Sequence, residues 1–130
     1  MTTAVVRRAA LEAYRGVYFG VDGLDQKKFI LEMLFDGLAA SLAGMKSAYV
    51  AGDFASQQSC LSRATRIVVG LEKALDASVD KELVDNLATV YRYLLRRLAR
   101  AQGARAPGAA DELLGIVQPL RQAFAGAVAA

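Results

Sequence analysis

Through four long stretches of this chain, apolar residues recur every three or four positions, and nowhere does a strand-like alternation persist. An amphipathic helix buries one such stripe and needs a second element to bury it against. In the first stretch, residues 26–51, the recurring set is Ile30, Met33, Leu34, Leu38, Leu42, Met45 and Tyr49, with Asp25 placed as the N-cap. Gly52-Asp53 breaks the pattern and puts Asp53 at the next cap. Residues 54–75 follow, with Phe54, Leu61, Ala64, Val68, Leu71 and Leu75 inward. Asp76-Ala77-Ser78 reads as a turn in which Ser78 caps a third helix over 79–102, and Asp80 and Glu82 suit the positive end of its dipole. That helix turns Leu83, Leu87, Val90, Leu94, Leu98 and Ala101 inward. Residues 103–108, with Pro107, form the linker. The last helix, 109–127, carries Leu113, Val117, Leu120 and Phe124, and Pro119 predicts a kink that Gly115 relieves.

Four such helices joined by short connections predict an all-α fold, an antiparallel up-down four-helix bundle over residues 25–130. Residues 1–24 read differently: a short helix around 4–14, then a glycine-punctuated strap carrying Tyr14, Tyr18 and Phe19. Aromatic residues on a strap need an apolar place to sit.

Composition removes most chemistry. The 130 residues include no His and one Cys. His-dependent acid–base catalysis, a Ser-His-Asp triad, a His-ligated metal and an internal disulfide are all excluded. No catalytic residue, cofactor site or metal site is expected. No apolar run reaches the 18 or so residues of a membrane span, because Glu32, Asp36 and Gly37 interrupt the longest candidate. Arg7 and Arg8 precede no signal-peptide core, and the lone Cys60 fits a reducing compartment, so the expected location is the cytoplasm.

The remaining feature is apolar surplus. The first helix adds Leu31 and Phe35 to its stripe, the second adds Cys60 and Ile67, and the third adds Val84, Tyr91 and Leu95. Exposed apolar grooves receive partner helices. The alternatives are cover by the strap and last helix, or a homodimer.

The polar candidates favour bland readings. Arg92, Arg96 and Arg100 recur at four-residue spacing near a helix C-terminus, where the dipole favours cations. The net charge of +3 argues for no nucleic-acid partner. Glu32 and Asp36 share a face but lack the His of a di-iron motif, so they read as a polar edge. Cys60 reads as a small buried residue and Asn86 as a satisfied buried amide.

Several motifs together resemble one family. The run Asn86-Leu87-Ala88-Thr89-Val90-Tyr91-Arg92-Tyr93-Leu94-Leu95-Arg96-Arg97-Leu98-Ala99-Arg100-Ala101 resembles the Asn-Leu-x-x-Leu-Tyr-x-Tyr-x-x-x-Arg-Leu-x-x-Ala signature of the flagellar secretion chaperones, FliS. Leu31-Glu32-Met33-Leu34-Phe35-Asp36-Gly37-Leu38, Leu120-Arg121-Gln122-Ala123-Phe124 and Ala13-Tyr14 are similar to its other motifs, in the same order. The chain departs in having Gly23-Leu24-Asp25-Gln26 before the first long helix, a slightly basic balance, and Phe124 where the family has Trp.

The resemblance implies a chaperone that binds the C-terminal segment of flagellin, blocks premature polymerisation and delivers it to the flagellar export gate. It implies a client groove, assigned here to Leu31, Leu34, Phe35, Leu38, Tyr49, Val84, Tyr91, Leu95 and Leu98, with Tyr14 as the groove cap. The alternative is a helical adaptor that homodimerises through the surplus stripe and has no flagellin client.

Overall fold

The structure, a computed structural model, describes residues 13–14, 24–78 and 80–125, with backbone alone for 24–28 and 125. Among these residues four α-helices form: α1 Leu24–Ala51, α2 Phe54–Lys73, α3 Lys81–Leu98 and α4 Ala106–Ala125, with a 3₁₀ turn at Gly103–Arg105. Among the described residues there is no strand. The expected N-terminal helix and strap lie outside them, apart from Ala13 and Tyr14.

Each turn has a local cause. Gly52 adopts φ 70°, a left-handed conformation that glycine takes without strain, and so reverses the chain after α1. Asp53 then caps α2, accepting from the Ser56 backbone N–H at 3.1 Å and the Ser56 hydroxyl at 2.7 Å. These bonds hold its carboxyl below the usual range. The cap of α3 is Asp80, which accepts from Leu83 N–H at 3.0 Å. Ser78, the expected cap, instead donates from both backbone and hydroxyl to Asp76, at 3.0 and 2.6 Å. Helix α4 starts at Ala106 and places Pro107 in its first turn, where a missing N–H costs nothing. The expected linker is therefore shorter at its far end. Helix α1 begins at Leu24, so Asp25 falls inside the helix rather than at its cap.

Helix α1 is the central packing element, lying against both α2 and α4; α2 packs on α3, and of these neighbouring pairs α3 and α4 touch least. Asp36 pairs with Arg121 at 2.5 Å and Lys46 with Asp111 at 3.0 Å, so positions on α4 fall as those on α1 rise. Arg92 of α3 pairs with Glu72 of α2 at 2.9 Å, and Gln57 donates to the Gly103 carbonyl at 3.2 Å.

The buried stripe of α1 is Leu31, Phe35, Leu38, Leu42 and Met45. Burying five such side chains contributes about 10 kcal/mol before chain entropy is counted. This corrects the expected phase. Leu31 and Phe35, read as surplus, are core, whereas Met33 is 58% and Tyr49 39% exposed. The flank facing α2 carries Gly37 and Gly44. A Cβ at Gly44 would sit 2.7 Å from Cys60 Sγ, and one at Gly37 would sit 3.3 Å from the Arg63 guanidinium. This flank has little to bury and serves instead to bring α2 close. In α2, Phe54 is exposed and Gln57 takes the buried place. Asn86 lies on the exposed face of α3, so it is no buried amide.

Candidate functional site

Six of the nine expected groove residues are core: Leu31, Phe35, Leu38, Val84, Tyr91 and Leu98. They do not line an open groove in this structure. Leu34 and Leu95 are half-buried, and Tyr49 is exposed. The physical reason is helical phase. Where two neighbouring stripes are both apolar, the one with continuous large side chains takes the core.

The structure brings one unanticipated set together around Tyr14. Its side chain is fully buried, although it comes from outside the four helices. The ring meets Phe124 of α4 edge-on at 5.6 Å, and Phe124 stacks on Phe35 of α1 at 4.9 Å. The Tyr14 hydroxyl hydrogen-bonds the Tyr91 hydroxyl of α3 at 2.5 Å. Burial pushes both phenols well above their ordinary value; the neighbouring phenol raises Tyr14 further. The backbone joins in, because Asp76 N–H donates to the Ala13 carbonyl at 2.8 Å. Tyr14 thus fills a slot at the α3–α4 seam, between Tyr91 of α3 and Phe124 of α4, with Phe35 of α1 behind Phe124. Sequence reasoning singled out Tyr14, as an expected groove cap, but not Phe124 as its ring partner nor Asp76 as the partner of Ala13. The signal was Phe124, at the inward end of the α4 stripe.

Two apolar surfaces stay open among the described residues. One lies between α1 and α2, a groove of about 340 Å³ lined by Ile30, Met33, Leu34, Gly37, Arg63 and Ile67. Phe29, 60% exposed, stands one turn before Met33. The other is at the α1–α2 turn, where Tyr49, Phe54 and Gln57 line a cavity of about 260 Å³.

The arginines of α3 are largely engaged. Arg92 binds Glu72, Arg97 binds Glu112 at 2.6 Å, and Arg96 lies over the Tyr93 ring at 5.9 Å. Tyr93 also donates to Glu112 at 3.0 Å. These bonds, Arg97 first, hold the Glu112 carboxyl low. The pattern is a cross-braced helix face. Among the described residues no group of three or more Cys, Asp or Glu converges as metal ligands would, and no helix is long and apolar enough to cross a membrane.

A family model for the flagellar protein FliS matches residues 14–130, nearly the whole chain, starting at the buried tyrosine. The chain belongs to the FliS family. A flagellar secretion chaperone FliS of Salmonella typhimurium is 31% identical over 96 residues, which cover 73% of this chain and 71% of that relative. FliS is a chaperone family rather than an enzyme family, which accords with a site made of apolar slots and braced charges. The FliS match covers all four helices, so Tyr14, Phe35, Tyr91 and Phe124 all fall within it.

Proposed function

We propose that this protein binds the C-terminal segment of flagellin in the cytoplasm, prevents premature polymerisation and delivers the subunit to the flagellar type III export apparatus. The bundle is read as antiparallel and up-down; the pairings of Asp36 with Arg121 and Lys46 with Asp111 support that order. The observation that carries the functional reading is Tyr14, a core side chain supplied from outside the helices it completes.

A slot filled by a detachable side chain can be filled by another. The client segment enters the open α1–α2 groove and, by displacing Tyr14, reaches Phe35, Tyr91 and Phe124. The expected groove residues Leu31, Leu38, Val84 and Leu98 then become contacts through the opened seam, while Leu34, Leu95 and Tyr49 form its rim. Folding of the client on the groove costs ordering free energy, so a large wrapped surface is required for useful affinity. Occupying the segment that assembles the filament blocks assembly without catalysis. Release at the export gate needs only a competing surface. Tyr14 acts as an internal competitor and lowers apparent affinity by the fraction of time it fills the slot.

The test is calorimetric titration with a peptide of about the last 40 residues of the same organism's flagellin, using chain-length reach as the guide. A 1:1 complex with negative heat-capacity change and helix gain is expected. Tyr14→Ala tightens it at least about threefold if the chain stays folded. No heat and no helix gain with folded protein refutes the flagellin reading. Concentration-dependent mass without client binding would leave the homodimeric adaptor.

A further inference from the structure

Among the described residues, the α1–α2 groove holds one charged side chain in an otherwise apolar lining, Arg63. Its guanidinium is placed by the backbone opposite. A Cβ on Gly37 would stand 3.3 Å from Arg63 Nη2 and 3.4 Å from Ile67 Cδ1, so the absent side chain is what lets the cation lie down on α1. Arg63 has no ion pair or hydrogen bond among the described residues. The carboxylate beside Gly37 in sequence, Asp36, is bound by Arg121 on the α4 side. The groove therefore presents an unmatched, always-charged fork among Ile30, Met33, Leu34 and Ile67.

We propose that Arg63 selects the client: the segment that docks between α1 and α2 carries a carboxylate flanked by apolar side chains, and that carboxylate pairs with the Arg63 guanidinium. The inference rests on the flagellin-chaperone reading and adds a polarity and a register to it. The groove alone would accept any amphipathic helix whose apolar residues recur every three or four positions. A single cation in it penalises a helix that sets a Lys, or nothing, against Arg63, and this is the usual source of register in a mostly apolar contact. The stretch from Ile30 to Gly37 spans about two helical turns, enough for two apolar anchors with one acid between them.

The test uses the full chain and the flagellin C-terminal peptide at low and at moderate salt. Arg63→Glu weakens binding about tenfold at low salt, and the loss shrinks as salt rises. Arg66→Glu makes the same change in net charge but lies in the opposite groove, beside Leu98 and Gln102, and it changes affinity less than about twofold. Replacing the peptide's acids by Lys one at a time, and amidating its C-terminus, identifies one change that restores binding to Arg63→Glu. Equal losses for the two Arg variants, or no restoring change, overturn the inference while leaving the chaperone reading standing. A wild-type chain that binds no peptide overturns both. A mass that doubles with concentration and is halved by Arg63→Glu shows a second copy as occupant and also overturns the inference.

Discussion

The hydroxyl pair between Tyr14 and Tyr91 gives the sharpest test of how the slot is held. Both side chains are fully buried, and each hydroxyl is the other's partner at 2.5 Å. Tyr14→Phe leaves the Tyr91 hydroxyl buried without a partner, and Tyr91→Phe does the same to Tyr14. Each single change therefore costs about 1–3 kcal/mol, the range for an orphaned buried donor. The double change removes both polar groups and leaves the ring at position 14 against Phe124, so it costs about 1 kcal/mol or less. The two singles should sum to more than the double, with a coupling of about 2 kcal/mol. Urea unfolding of the four chains, with the m-value held constant, measures it. Singles that add to within about 0.5 kcal/mol would show that the hydroxyls do not depend on each other, and the slot would then be held by ring packing alone.

Two other outcomes follow from the same core. Gly44→Ala puts a methyl 2.7 Å from Cys60 Sγ, so overpacking outweighs the gain of about 1 kcal/mol in helix propensity and the chain loses about 1–2 kcal/mol net. In a Cys60→Ala background the same change becomes stabilising, and a melt in which Gly44→Ala behaves identically in both backgrounds sinks the contact. Stability should also hold from neutral pH to about pH 9.5 and fall above about pH 10. Tyr14 and Tyr91 have folded pKa values raised above the unfolded value of 10.0, chiefly by burial, so their contribution is complete below that value and is lost as pH rises toward the folded ones. The loss is about 1.4 kcal/mol per pH unit for each phenol. The Tyr14→Phe/Tyr91→Phe double variant should decline less steeply, and an equal decline would place the alkaline lability elsewhere.

Element identity was legible because it depends on local period and punctuation. The break at Gly52-Asp53 is an example: a left-handed glycine followed by a capping acid needs nothing from the rest of the fold. Where several residues offered the same local chemistry, tertiary contact decided. Asp76, Ser78 and Asp80 can each cap a helix. The Asp76 N–H is taken by Ala13 while its carboxylate holds Ser78, and so the cap of α3 falls two residues later, at Asp80. The largest miss was of the same kind. A three-and-four spacing fits Ile30-Met33-Leu34 as well as it fits Leu31-Phe35-Leu38, since adjacent stripes on a helix share the period.

What separated the two stripes was continuity and bulk. Leu31, Phe35, Leu38, Leu42 and Met45 run unbroken along α1, whereas the neighbouring stripe passes through Gly37 and Gly44. That second stripe is still informative. Glycines that leave a helix flank thin let α2 come close, and they leave an apolar groove at the end where the large residues Ile30, Met33 and Leu34 resume. The surplus of apolar residues thus has two destinations. One part is core that lacks a final piece, supplied by Tyr14 at the α3–α4 seam. The other part is the open α1–α2 groove. A bundle with ordinary large residues at Gly37 and Gly44 could keep its core, but α2 would stand farther off and the exposed Arg63 would no longer lie against the backbone of α1. On the proposed reading the two glycines therefore bear on client docking as directly as the aromatic slot does, which a list of large apolar residues could not reveal.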